Sequence, residues 1–130
     1  MLRRSGGIAI LMILAFPLSG CGPDREQTRI IQRTPAPDGQ RDAVYAEDMG
    51  GGATVGTAAN VYVTAPGMFP KLDQRIFRGE RVCNLHVRWK SRDEIEIKYF
   101  AREQEKRYPL STSPVIVRLL WLGRDPANGC

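Results

Sequence analysis

The chain has 130 residues, of which 42% are hydrophobic and 25% are charged, and this is the size of one small globular domain. Nineteen basic against fourteen acidic side chains give a formal net charge of +5. No segment concentrates the positive charge in the way nucleic-acid-binding proteins do, so we expect no DNA or RNA partner. Because the chain has a single histidine, histidine-rich metal sites are disfavoured, and we expect no cofactor.

The first 20 residues have the layout of an export signal. A positive pair, Arg3 and Arg4, precedes an apolar stretch from Ile8 to Leu18, and small residues follow. The stretch is shorter than the roughly 20 apolar residues that a membrane-spanning helix needs. We therefore predict that residues 1–20 are a removable signal peptide. Its removal leaves 17 basic against 14 acidic residues, a net charge of +3.

The export segment ends in a specific motif, Leu18-Ser19-Gly20-Cys21. This motif resembles the lipobox of bacterial lipoproteins. The resemblance covers the signal and Cys21 only, and it implies that the Cys21 thiol receives a diacylglyceryl group, that cleavage occurs before Cys21, and that a lipid bilayer is the partner. In Gram-negative members an Asp after the lipidated cysteine tends to retain the protein at the inner membrane, so Gly22 favours the outer membrane. The localisation implied is a lipid-anchored, periplasm-facing protein.

Two other interpretations of this segment stay open. The first is an ordinary cleaved signal followed by a chance cysteine. The second is a twin-arginine export signal, although the residues that follow Arg4 lack the expected hydrophobic pattern.

The segment after Cys21 is polar. Between residues 22 and 41 only Ile30 and Ile31 are large and apolar, so it cannot bury enough surface to offset its ordering entropy. We predict a lipidated Cys and flexible tether over residues 21–34, with a short helix around Arg25–Arg33 as the alternative. A turn over Pro35–Gly39 then opens a folded domain over residues 35–123, and residues 124–130 form a flexible C-terminal tail.

Beyond Gly39 the apolar pattern has a period of two, which predicts strands. The expected strands are Arg41–Asp48, Val61–Thr64, Arg75–Phe77, Leu85–Lys90, Glu94–Phe100 and Val115–Leu122. We therefore predict a mainly β fold, as a single small antiparallel sheet or a sandwich-like domain. A β-propeller is excluded because about 90 residues supply two blades at most and propellers need about four or more.

The hairpin around residues 91–93 can be predicted to the residue. The apolar residues of both strands have odd numbers. They can lie opposite one another, all facing the core, only if the two residue numbers of each pair sum to an even value. A three-residue loop, Ser91 to Asp93, places Trp89 opposite Ile95 and Val87 opposite Ile97. It also pairs Lys90 with Glu94 and Arg88 with Glu96, and Asp93 would tolerate the left-handed conformation that such loops favour.

Four motifs of the domain are similar to those of small uncharacterised bacterial lipoprotein and membrane-associated domains, over roughly residues 35–100. They are Pro37-Asp38-Gly39, Gly51-Gly52-Ala53-Thr54, Val87-Arg88-Trp89 and Ile95-Glu96-Ile97-Lys98-Tyr99. The similarity implies no activity.

No group of residues makes a convincing catalytic set. Cys83 and His86 suggest a nucleophile and base, but three residues apart on a regular strand they face opposite sides. Glu94 and Glu96 share a face, and the basic residues around them favour a salt-bridged solvent face over paired catalytic carboxylates. Gly50–Gly52 is not followed by the helix and the lysine that a phosphate loop needs, so we predict a flexible connection here. Core packing is the default role of the aromatic side chains, Tyr45, Tyr62, Trp89, Tyr99, Phe100 and Trp121.

With Cys21 acylated, Cys83 and Cys130 remain as an even pair in an oxidising compartment. We predict a disulfide between Cys83 and Cys130, and the alternative is a buried free thiol at Cys83 with a frayed Cys130. The function expected from the sequence is a non-enzymatic binding, assembly or inhibitor module at the cell envelope, with an envelope protein as partner. A small periplasmic hydrolase is the alternative.

Overall fold

The computed structural model describes residues 23–49, 57–104, 115–127 and 130. Seven strands and one short 3-10 helix follow in chain order: β1 Thr28–Pro35, β2 Asp42–Asp48, β3 Ala58–Thr64, the helix Leu72–Gln74, β4 Arg75–Glu80, β5 Cys83–Ser91, β6 Glu94–Phe100 and β7 Ile116–Trp121. The predicted mainly β fold is confirmed. Among the residues described, no helix is long and apolar enough to cross a membrane.

The strands form two sheets. The first sheet has the order β1-β2-β3-β4 with antiparallel pairing throughout, and the second has the order β5-β6-β7. Within the second sheet β5 and β6 are antiparallel, whereas β7 runs parallel to β6. A parallel neighbour needs a crossover of about a dozen residues or more, and the chain between Phe100 and Ile116 is long enough. The expected antiparallel pairing is thus corrected for β7 alone.

The core lies between the two sheets. Alternate residues of most strands fill it, as the period-two pattern requires, whereas an irregularity in β4 brings the consecutive residues Ile76 and Phe77 into it together. The other core residues include Ala43, Val61, Val87, Ile95, Ile97, Tyr99 and Val117. The rings of Phe77 and Tyr99 meet across the interface with centroids 5.2 Å apart. Gly79 is required beside them, because a Cβ atom there would lie 2.6 Å from the Val82 Cγ1 atom. The two sheets therefore pack as a small β-sandwich.

The sandwich has two ends, and backbone pairing traces one of them across both sheets. In the first sheet Thr28 pairs with Asp48, Asp48 with Ala58, and Ala58 with Glu80. Two residues then connect Glu80 to Cys83, which pairs with Phe100 in the second sheet. We call this row the entry end, since the chain enters the first sheet there at Thr28.

The opposite end, which we call the hairpin end, carries the β5–β6 turn. Arg41, which precedes β2, is 2.8 Å from Asp93 in this turn, and the Trp89 indole donates a 2.9 Å hydrogen bond to the Thr34 carbonyl. Across the interface β1 and β2 contact β5, and β6 separates β5 from β7.

The tether predicted over residues 21–34 is wrong from Thr28 onward, because this segment forms β1. Backbone hydrogen bonds to β2 order it, and Arg29–Glu47 at 2.8 Å and Arg33–Asp42 at 3.0 Å add ion pairs. An edge strand needs no apolar stripe when its neighbour supplies the hydrogen bonds. The helix considered for this region is excluded for the same reason. The predicted turn is present, with Gly39 at φ 69°, and it connects β1 to β2.

The predicted hairpin register is confirmed in its central part and corrected at its tip. Val87 lies opposite Ile97, Arg88 opposite Glu96, and Trp89 opposite Ile95. A bulge then places Ser91, and not Lys90, opposite Glu94. Among the described non-glycine residues only Arg81 and Asn84 have positive φ, so Asp93 does not adopt the expected left-handed conformation. The bulge supplies the extra twist instead.

Candidate functional site

Cys83 and His86 do not form a nucleophile and base, in agreement with the sequence analysis. A bulge between them, with Asn84 at φ 49°, shifts the pairing with β6 by one residue and breaks the regular alternation. The structure instead places Cys83 against Cys130, with Cα atoms 6.0 Å apart, which is within the usual range for a disulfide. A sulfur engaged in that way supplies no thiolate.

The C-terminal residues pack against the domain. Asp125 is buried, its carboxylate accepts a 2.8 Å hydrogen bond from the Asn84 amide, and its N–H donates to the Cys130 carbonyl at 3.0 Å. The Ala127 N–H closes a turn onto the same carboxylate at 2.9 Å. The flexible tail expected over residues 124–130 is therefore corrected, because its described residues are tied to one another and to β5.

The acidic residues of the hairpin form ion pairs, as the salt-bridge interpretation predicted. Glu96 is only 7% exposed and lies 2.9 Å from Arg88, 3.8 Å from Lys90 and 3.7 Å from Lys98. Glu94 pairs with Arg118 on β7. Three cations around one carboxylate favour its ionised form, so this group is suited to stabilising the sheet and poorly suited to donating a proton.

Glu96 gives a testable pH dependence. Burial raises the pKa of its carboxyl, but Arg88, Lys90 and Lys98 lower it more, so the pKa lies below its ordinary value of 4.5. A pKa that is lower in the folded state stabilises the fold above the unfolded pKa, and the contribution is lost as the pH falls through the folded pKa. We expect the free energy of unfolding to fall less in Glu96→Gln than in the wild type between about pH 7 and about pH 3. Urea titrations at both pH values measure this, and an equal fall in both proteins would contradict it.

A second polar cluster, which the sequence did not indicate, lies on the outer side of the first sheet. The guanidinium groups of Arg75 and Arg78 both approach the Oδ1 atom of buried Asn60 at 3.5 Å. Arg78 also lies 3.9 Å from Asp48 and 3.8 Å from Glu80. Because acidic groups of β2 and β4 surround Arg78, the cluster joins neighbouring strands of the sheet.

The aromatic side chains divide between core and surface. Tyr99 and Tyr62 are buried, and burial raises the pKa of the Tyr62 hydroxyl. Burial, together with the neighbouring Glu47 carboxylate, raises the pKa of Tyr45 to about 12. Trp121 differs from these residues, since it is 42% exposed while its indole N–H donates to the Ala101 carbonyl at 2.9 Å. It is a rigid aromatic surface held in place by a hydrogen bond.

The main apolar surface is the β7 edge, which we define as the exposed side chains of Ile116, Leu120, Trp121 and Leu122. Their exposed fractions run from 39% to 58%, and β7 is the last strand of the second sheet. Large apolar side chains gathered along an edge strand are typical of a surface that another protein covers. The β7 edge is thus the candidate functional site.

The sequence contained a signal for this edge. Apolar residues occupy both faces of the predicted strand at Val115–Leu122, a pattern typical of strands that are buried on both sides. In the structure the core covers Val117 on one face of β7, whereas Ile116 and Leu120 on the other face are exposed.

Other predicted sites lie outside the described residues or find no support in them. Cys21 and Gly50–Gly52 are outside the described residues. Within the described ranges no group of three or more His, Cys, Asp or Glu side chains could hold a metal ion.

Comparisons of this chain with protein-family models, with curated proteins and with solved structures found no match.

Proposed function

We propose that this chain is an exported lipoprotein, anchored through Cys21, whose β-sandwich is a non-enzymatic binding or assembly module at the cell envelope. The observation that carries the binding role is the β7 edge. Its strand pairs with β6 on one side, and four large apolar side chains along it are exposed. A partner protein that packed against these side chains would remove them from water, which favours association.

The anchoring part of the proposal rests on the lipobox resemblance of Leu18-Ser19-Gly20-Cys21. Two acyl chains hold a protein stably on a bilayer at about 0.8 kcal/mol per buried methylene, whereas one chain binds marginally. Mass spectrometry of the membrane-extracted protein should give an N-terminal peptide that begins at Cys21 and carries acyl chains. Cys21→Ser should abolish this modification and release the chain from membranes or leave it unprocessed, because a hydroxyl is a much poorer nucleophile than a thiolate. An unmodified Cys21 peptide from the wild type would refute the anchor.

The binding part is tested by crosslinking in intact envelopes followed by pull-down. We expect Leu120→Lys to abolish a crosslinked partner band, because a charge within this apolar surface opposes its burial against a partner. Leu72→Lys is the matched control, since Leu72 is 48% exposed and Leu120 is 39% exposed, but Leu72 lies beside the first sheet. Identical crosslinked bands in the wild type and both variants would contradict the assignment of the β7 edge.

A further inference from the structure

The described structure begins two residues after the proposed lipidation site. Pro23 is the first described residue, and two Cα–Cα steps from Cys21 cover at most about 7.6 Å. The chain then makes a turn in which the Gln27 N–H donates to the Asp24 carbonyl at 3.2 Å. A turn of this kind keeps its first and last Cα atoms within about 7 Å of each other. Chain connectivity therefore keeps the Cα atom of Cys21 within about 22 Å of the Cα atom of Thr28 at the entry end.

Contacts with the domain fix this turn in place. The Arg25 guanidinium lies 4.4 Å from the centre of the Phe69 ring, and the Met49 N–H donates to the Gln27 carbonyl at 2.7 Å. The slack expected of a long tether is therefore absent, because the chain is ordered by contacts from Asp24 onward. The short connection limits which part of the domain can meet the bilayer.

Exposed apolar side chains lie where this connection joins the domain. Ile30 is 38% exposed, Ile31 is 42% exposed, and Met49, beside Gln27, is 53% exposed. A bulge in β1 leaves Ile31 without a pairing partner in β2 and places two consecutive isoleucines at this edge. We call Ile30, Ile31 and Met49 the entry corner.

We propose that the entry corner rests against the bilayer in which Cys21 is anchored, with its three side chains in the headgroup region; this inference depends on the lipid anchor proposed above. The entry corner and the β7 edge have no residue in common, so a bilayer contact at the corner does not itself occupy the surface proposed for a protein partner. The charged groups around the corner have no positive excess, since two cations, Arg25 and Arg29, lie among three anions, Asp24, Glu26 and Glu47, and Arg29 pairs with Glu47 at 2.8 Å. The contact is therefore apolar, and salt should not weaken it.

The test uses the full lipidated protein in phosphatidylcholine vesicles, with a nitroxide label at one introduced cysteine. Ile31→Cys probes the entry corner, and Ile116→Cys is the matched control, because it replaces the same residue type at the hairpin end with 58% exposure. A label at Met68, which is 57% exposed beside the first sheet, reports whether a different face meets the lipid.

We expect a label at position 31 to collide with a water-soluble nickel complex about threefold less often than a label at position 116, in low and in high salt alike. Equal collision rates at positions 31 and 116, in protein whose Cys21 is acylated, would overturn the orientation and leave the anchor standing. Protection at position 68 in place of 31 would also overturn it. An unacylated Cys21 would overturn the anchor and the orientation together.

Discussion

Replacing Cys83 and Cys130 together by serine is expected to lower the free energy of unfolding by about 4 kcal/mol. The two cysteines are separated by 47 positions, so their bond closes a long loop and removes many conformations from the unfolded chain. A domain of about 100 residues has a total stability of about 5–15 kcal/mol, so this loss is a large fraction of it. The 2.8 Å hydrogen bond from the Asn84 amide to the Asp125 carboxylate is a second link between the C-terminal turn and β5.

Urea titrations followed by tryptophan fluorescence measure this loss. They are best made on a chain that also carries Cys21→Ser, in which Cys83 and Cys130 are the two remaining cysteines. The oxidised protein should unfold at a higher urea concentration than either the reduced protein or the double variant, and the last two should agree. Equal midpoints for the oxidised and reduced proteins, or two titratable thiols in the oxidised one, would show that the bond does not form.

Phe77→Ala is expected to destabilise the fold by about 3–5 kcal/mol. The Phe77 side chain is fully buried in β4, and its ring packs on Tyr99 of the other sheet. Truncation would remove the transfer free energy of the ring and leave a cavity between the two sheets. The strand on the other side of that cavity, β6, is held between β5 and β7 and cannot easily move to close it. The change should therefore weaken the contact that holds the sheets together.

Leu72→Ala is the control for this experiment, because Leu72 is 48% exposed and its truncation should change stability by less than about 0.5 kcal/mol. Chemical denaturation of both variants gives the comparison. A loss at Phe77 no larger than that at Leu72 would mean that the two sheets do not share this packed core.

The sequence determined the mainly β fold and the hairpin register because both depend on local alternation. Apolar residues at every second position of Leu85–Lys90 and Glu94–Phe100 can all face one core in a single pairing, and the structure has that pairing from His86 to Trp89. The salt-bridged environment of Glu96 followed from the same register, since opposite charges were already adjacent. The turn between β1 and β2 followed from its proline and glycine.

Tertiary structure alone decided where the domain begins and which surfaces it exposes. The polar segment at Thr28–Pro35 contains no apolar stripe, and it becomes β1 because β2 offers it an edge of unpaired backbone groups. The extent of the C-terminal packing likewise depends on Asn84, Asp125 and Cys130, which are brought together only by the folded chain. Most of all, the apolar run of β7 predicts a doubly buried strand, and only its place at the edge of a three-stranded sheet leaves Ile116, Leu120, Trp121 and Leu122 exposed. Local alternation shows which residues of a strand can share a face. The order of the strands and the burial of each face depend instead on contacts between residues far apart in the chain.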